Sequence, residues 1–196
     1  MSTSRQMNLA LVIGDTGFHQ AAWRLDGSRV EQLTQIDLFK EIAQRAEQAH
    51  LDSLFVADVL GFDPVSAKSW PTNQLEPLTL LSALAAVTNK IGLIGTQSST
   101  FSEAYTIARQ FLSLDHLSKG RAGWNAVTSR SGQEHYGLEE LPPHEQRYER
   151  AAETAAAVKL LWESWAQDAI VLDKEQGVYA SPEKITEAEF NGIHIK

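Results

Sequence analysis

The sequence predicts an α/β fold with a parallel sheet covered by helices, and two patterns carry that expectation. Short apolar runs alternate along the 196 residues with longer segments of helical spacing. The runs lack strict polar alternation, so the strands they form are buried on both faces, as in a parallel sheet between layers of helix.

Leu9-Ala10-Leu11-Val12-Ile13, ended by Gly14, is the first strand. Gln32 to His50 follows as an amphipathic helix, with Ile36, Phe39, Ile42, Ala43, Ala46 and Ala49 on one side. Ser53-Leu54-Phe55-Val56-Ala57 is the second strand, and Pro77 to Thr88 a helix with proline in its first turn. Ile91 to Gly95 and Arg121 to Val127 are the third and fourth strands, separated by a helix from Glu103 to Leu117. The longest helix runs from about Pro143 to Trp165. Residues 8–165 thus hold four βα units. Residues 166–196 read differently: Ile170-Val171-Leu172, Val178-Tyr179 and Ile193-His194-Ile195 are short β-type runs between polar turns, an excursion of hairpin type.

Composition narrows the function. A net charge of −8, with 17 basic residues scattered among 25 acidic ones, lacks the clustered cations of a nucleic-acid surface. Cysteine is absent, which removes disulfides, thiolate nucleophiles and cysteine-ligated metals. The opening Met1 to Gln6 is short and polar, and no apolar run is long enough to span a bilayer. A cytoplasmic protein without membrane contact is expected. No H-x-x-x-H, H-E-x-x-H or carboxylate cluster at ligand spacing occurs, so no metal is expected.

Four βα units make either a small open sheet or half of an eight-stranded barrel. The first strand ends in Gly14-Asp15-Thr16-Gly17, which is not the G-x-G-x-x-G turn of a dinucleotide-binding sheet. The loops after the strands are long, at 16–31, 61–76 and 129–144, and in a βα barrel such loops build the active-site face. A whole barrel needs roughly 250 residues. The expectation is therefore an incomplete barrel; without strands seven and eight, where barrel phosphate sites lie, it is expected to bind a phosphate-bearing cofactor weakly or not at all by itself.

Several strings stand in a characteristic order. They are Phe18-His19-Gln20-Ala21-Ala22-Trp23-Arg24, Leu54-Phe55-Val56-Ala57-Asp58, Glu76-Pro77-Leu78-Thr79-Leu80, and Ile91-Gly92-Leu93-Ile94-Gly95-Thr96. Ala108-Arg109-Gln110-Phe111 and Leu114-Asp115-His116-Leu117-Ser118 follow. Then come Gly120-Arg121-Ala122-Gly123-Trp124-Asn125-Ala126-Val127-Thr128-Ser129 and His144-Glu145-Gln146-Arg147-Tyr148. From about Asn8 to Lys196 the chain resembles the N-terminal half of bacterial-luciferase-like flavin-dependent monooxygenases, in the nitrilotriacetate and dibenzothiophene-sulfone monooxygenase group. The Gly-Arg-x-Gly-Trp-Asn-x-Val-Thr-Ser string is the most specific element.

The resemblance implies a (β/α)8 TIM barrel of which the first four units are here. It implies an FMNH2-dependent monooxygenase, the large component of a two-component system. Reduced FMN from a separate NAD(P)H:flavin reductase would capture O2, and the flavin hydroperoxide would oxidise a small organic substrate. A homo-oligomer is implied as well. Positions matching the family's flavin contacts are Asp58, Thr96 and Asn125, after or at the ends of the second, third and fourth strands, with His144 and Tyr148. An amide such as Asn125 offers donor and acceptor together, which suits a flavin's polar edge. His144 and Tyr148 are four apart at a helix start, so they share a face. There they would hydrogen-bond the ribityl or phosphate end, where the helix terminus favours an anion.

His19 is an acid/base candidate, or an ordinary loop histidine. Trp23 and Trp70 read as packing anchors ahead of pocket walls. Asp115-His116 falls on the bottom face, where the structural reading wins, and Glu139-Glu140 reads as solvated surface. Two other readings stay open: a deazaflavin-dependent oxidoreductase on the same scaffold, and a non-catalytic half-barrel acting as an interaction module.

Overall fold

The computed structural model describes residues 7–196. The polar opening Met1–Gln6, read above as no signal core, lies outside them. Four parallel strands lie side by side in chain order: β1 (Ala10–Ile13), β2 (Ser53–Val56), β3 (Gly92–Ser98) and β4 (Ala122–Val127). The connections run through α1 (Ile36–Gln48), then α2 (Pro64–Ala67) and α3 (Pro77–Ala85), then α4 (Ala104–Ser118), and α5 (His144–Glu163) follows β4. The strand order never reverses, so the sheet lacks the switch-point crevice of a doubly wound fold.

Period-two alternation sorts the strand residues. Ile13, Leu54, Val56 and Leu93 join Leu81, Leu84, Ile107, Phe111 and Val158 from the helices in one core. Each fully buried leucine there contributes about 1.5–3 kcal/mol. Gly95 on the same side is a close approach: a Cβ would stand 3.1 Å from Leu81 and 3.3 Å from Leu78. The opposite face of the sheet carries a row set by the register, Val12–Phe55–Ile94–Gly123. One step higher on that face stand Thr96 and Asn125.

Several boundaries differ from the sequence reading. The first helix begins at Ile36 and not Gln32, because Arg29 takes a left-handed conformation (φ 57°) and Val30–Gln32 forms a separate short turn. The helix expected to Thr88 stops at Ala85, where the Thr88 hydroxyl donates to the Leu84 carbonyl. The third strand continues past Gly95 to Ser98, since β4 offers partners up to Val127. The last helix ends at Glu163, and Trp165 instead bridges to Ile185. The short helix α2 was not expected; Asp63 caps it by accepting from the Val65 and Ser66 N–H groups.

In the tail, β5 (Ile170–Asp173) and β6 (Val178–Ala180) form the antiparallel hairpin, its turn held by Asp173 accepting from Glu175 and Gln176. Ile193-His194-Ile195 forms no strand. The Glu153 carboxylate on α5 accepts all three of their N–H groups at 2.7–3.0 Å, in place of a strand partner, and Ile195 joins the core.

Two polar clamps hold the lower ends of the strands. Glu47 accepts from the N–H groups of Asn89, Lys90 and Ile91. The Arg121 guanidinium donates to carbonyls of Ala85, Thr88, Ile91 and Ser118 and to the Thr88 hydroxyl. Asp115 accepts from Ala122 N–H at this end, which is its structural role. No helix among the described residues is long and apolar enough to cross a membrane.

Candidate active site

The upper ends of the strands gather the sequence's candidates in three groups. In the first, Thr96 and Asn125 are register partners, and the Asn125 Nδ2 donates to Thr96 Oγ1 at 2.9 Å. Both were expected at the ends of their strands. They lie two residues before the strand ends at Ser98 and Val127; for Thr96 this is because the β3–β4 ladder carries the third strand beyond the apolar run Ile91–Gly95, while the fourth strand ends at Val127 as the sequence predicts. Thr96 is only 4% exposed and Asn125 is half-buried.

In the second group Asp58 stands two residues beyond β2, half-buried. Burial pushes its carboxyl above the usual range, the charge of Glu76 adds to this, and the Val59 N–H opposes it. Glu76 itself is the cap of α3, accepting from Leu78 and Thr79. Tyr136 faces the same charge: burial and then Asp58 raise its phenol. Its ring stacks on Phe101, with centroids 4.5 Å apart and planes 3° from parallel. Sequence reading missed Tyr136 and Phe101. Neither lies in an element of clear period, and only the fold brings the two loops together.

The third group is His144 and Tyr148 in the first turns of α5, with ring centroids 4.6 Å apart. Both are exposed. His19 stands apart from all three groups. It is exposed, and its Nδ1 accepts from the Ala21 N–H of its own loop.

A cavity of about 480 Å³ opens between the loop after β2 and the loop after β4. Val59, Leu60, Phe62, Trp70 and Pro71 give it an apolar lining, and Ser131 and Glu134 close the far side. Trp70 is both anchor and wall, since its Nε1 donates to Asp15 at 2.9 Å while its ring faces the cavity. Trp23 is an anchor, donating to the Ser69 carbonyl. The two loops touch tightly. Gly132 has φ 97°, and a Cβ there would come within 2.7 Å of the Leu60 carbonyl. No cluster of three or more His, Asp or Glu side chains among the described residues has the geometry to hold a metal.

Comparison with known proteins agrees with this architecture. Residues 16–188 match the model of the luciferase-like monooxygenases. The chain is 46% identical, over 99% of its length, to N-acetyl-S-(2-succino)cysteine monooxygenase of Bacillus subtilis (strain 168). It is 39% identical, over 100% of its length, to nitrilotriacetate monooxygenase component A of Aminobacter aminovorans. It spans 44% and 46% of those two proteins. Among solved structures, a long-chain alkane monooxygenase superposes with a TM-score of 0.90 at 30% identity, covering 99% of this chain and 48% of that one. A riboflavin lyase holding modified FMN and riboflavin also scores 0.90, at 33% identity over 97% of this chain and 45% of its own. With the family model covering residues 16–188, the chain belongs to the luciferase-like monooxygenases.

Proposed function

We propose that these residues supply the first four strands of a (β/α)8 barrel, and with them part of the flavin site of an FMNH2-dependent monooxygenase. The strand order and the single helical face support the barrel reading, since an interior needs one face left for the opposite strands. On this reading the row Val12–Phe55–Ile94–Gly123 is barrel interior and the Thr96–Asn125 pair its upper layer.

The observation that carries the flavin reading is the Thr96–Asn125 hydrogen bond. It commits one N–H of the amide and fixes its plane. Asn125 keeps a second N–H and its Oδ1 free of side-chain partners among the described residues, so one donor and one acceptor remain available. That pairing fits the edge of an isoalloxazine ring, which carries both kinds of group. FMN, when bound and reduced, supplies the dioxygen chemistry. Around it Thr96 orients Asn125, and Asp58, its carboxyl pushed up by burial, is suited to hold a proton at the rim. His144 and Tyr148 offer polar tips toward the ribityl and phosphate end beside the α5 N-terminus. The cavity, with Val59, Leu60, Phe62, Trp70 and Pro71 along one side, takes the apolar body of the substrate. The name component A, borne by the nitrilotriacetate relative, supports a separate flavin reductase as partner.

The test uses the intact protein with FMN, NADH, a flavin reductase and isotopically labelled O2. The substrate panel contains a succinylated cysteine thioether, nitrilotriacetate and dibenzothiophene sulfone. One labelled oxygen atom in a product, dependent on FMN, is the expected result. Full O2 uptake with no label in any product, and no affinity for FMN, would remove the proposal.

A further inference from the structure

Arg147, in the first turns of α5, is 9% exposed, and the Thr96–Asn125 reading gives it no part. Its Nη1 donates to the Ser129 carbonyl, and its Nε is buried with no partner. Among the described residues no carboxylate oxygen lies within 4.0 Å of it. A buried guanidinium held by one carbonyl and lacking a counter-charge is a poor device for stability, because desolvation outweighs what that bond returns. An isosteric apolar side chain would hold the fold as well.

The acceptor explains the expense. Ser129 is the second residue of the loop after β4, and its hydroxyl donates to Ser98 Oγ at 2.8 Å. Ser98 ends β3 and also accepts from the Thr100 N–H. A polar relay therefore runs from α5 through Ser129 to the β3 terminus, two residues above Thr96. Beyond Ser129 the same loop presses Ser131 and Gly132 onto Leu60 and Gly61, and it delivers Tyr136 to Phe101. Ser131 and Glu134 of this loop form the far wall of the cavity.

We propose that Arg147 is a positioning residue. Its buried guanidinium fixes the loop after β4 against the upper ends of β3 and β4, and so shapes the pocket where flavin and substrate meet. The inference rests on the flavin-site reading above.

The experiment compares intact wild-type protein with Arg147→Met and Arg147→Lys. It measures melting temperature, hydrogen exchange of residues 128–138, and FMN affinity by flavin fluorescence. Arg147→Met is expected to keep its melting temperature within about 3 °C, because no ion pair is lost. Exchange in the loop rises, and the FMN dissociation constant rises roughly tenfold or more. Arg147→Lys, which keeps a donor for the Ser129 carbonyl, is expected to recover part of both. Unchanged loop exchange in Arg147→Met overturns the proposal. So does a loss of melting temperature in both variants with exchange raised evenly over the chain, which marks a merely structural arginine. Absence of FMN binding in the wild type strikes the flavin reading instead, while the exchange data still decide whether Arg147 holds the loop.

Discussion

At the scale of single residues, the amide of Asn125 and the carboxyl of Asp58 make opposite demands on the fold. Asn125 is held in a strand by Thr96, so its removal leaves the ladder intact and takes away only side-chain bonds. Asn125→Ala is expected to weaken FMN binding by about 10- to 100-fold, the value of one or two hydrogen bonds, with little change in melting temperature. Fluorescence titration beside calorimetry checks both halves of that statement. Asp58 costs stability. An acid whose folded pKa is raised folds without penalty below its ordinary value near 3.8. The penalty grows as pH rises past that value and is complete above the folded pKa. Asp58→Asn is therefore expected to raise the melting temperature at pH 7, and the gain is expected to vanish as pH falls toward 3. A pH series of melting curves reads it directly, and a gain that persists at pH 3 would refute the assignment to ionisation. Both residues were legible as candidates because they stand toward the upper ends of predicted strands, at positions that the family resemblance matches to flavin contacts. Their true company was not, since Tyr136 and Arg147 reach the site through hydrogen bonds and stacking between segments that no local period links.

At the scale of elements, helices and strands were legible wherever burial imposed a period, and their ends were not. The apolar pattern of Ile91–Gly95 stops at Thr96, yet β3 runs to Ser98 because ladder bonds to β4 do not need apolar side chains. Conversely α1 starts late because one left-handed residue, Arg29, interrupts a stretch whose composition suits a helix. The Asp63-Pro64 start of α2 is a recognisable cap, but four residues are too few to show a period. Arg121 shows how an exposed-looking charge becomes an element joint. It stands in the most specific sequence string and faces the lower ends of the strands, where it gathers four backbone carbonyls. Arg121→Ala is expected to cost about 3 kcal/mol, because those carbonyls lose charge-assisted donors while partly buried. Urea unfolding measures this. An FMN affinity unchanged in the folded fraction would separate the joint from the site.

At the scale of the whole molecule, the sheet is covered on one face and presents Val12, Phe55 and Ile94 on the other, with Val12 43% exposed. Parallel sheets are otherwise buried on both faces, since an apolar face open to water is costly. In the barrel reading that face is lined by opposing strands, and the Thr96–Asn125 pair sits at its upper margin. On that reading the side chains there serve an interior. Residues 1–196 prepared alone are therefore expected to bind a hydrophobic dye, and Val12→Thr with Ile94→Thr to reduce that binding. The same pair of changes in a protein of the relatives' full length is expected to cost about 1–2 kcal/mol per site, as polar groups enter a packed core. If the isolated residues bind no dye and the two changes are neutral in both contexts, the face is not an interior. The layer holding Asn125 would then open onto solvent, where its free donor and acceptor bond water and select no ring.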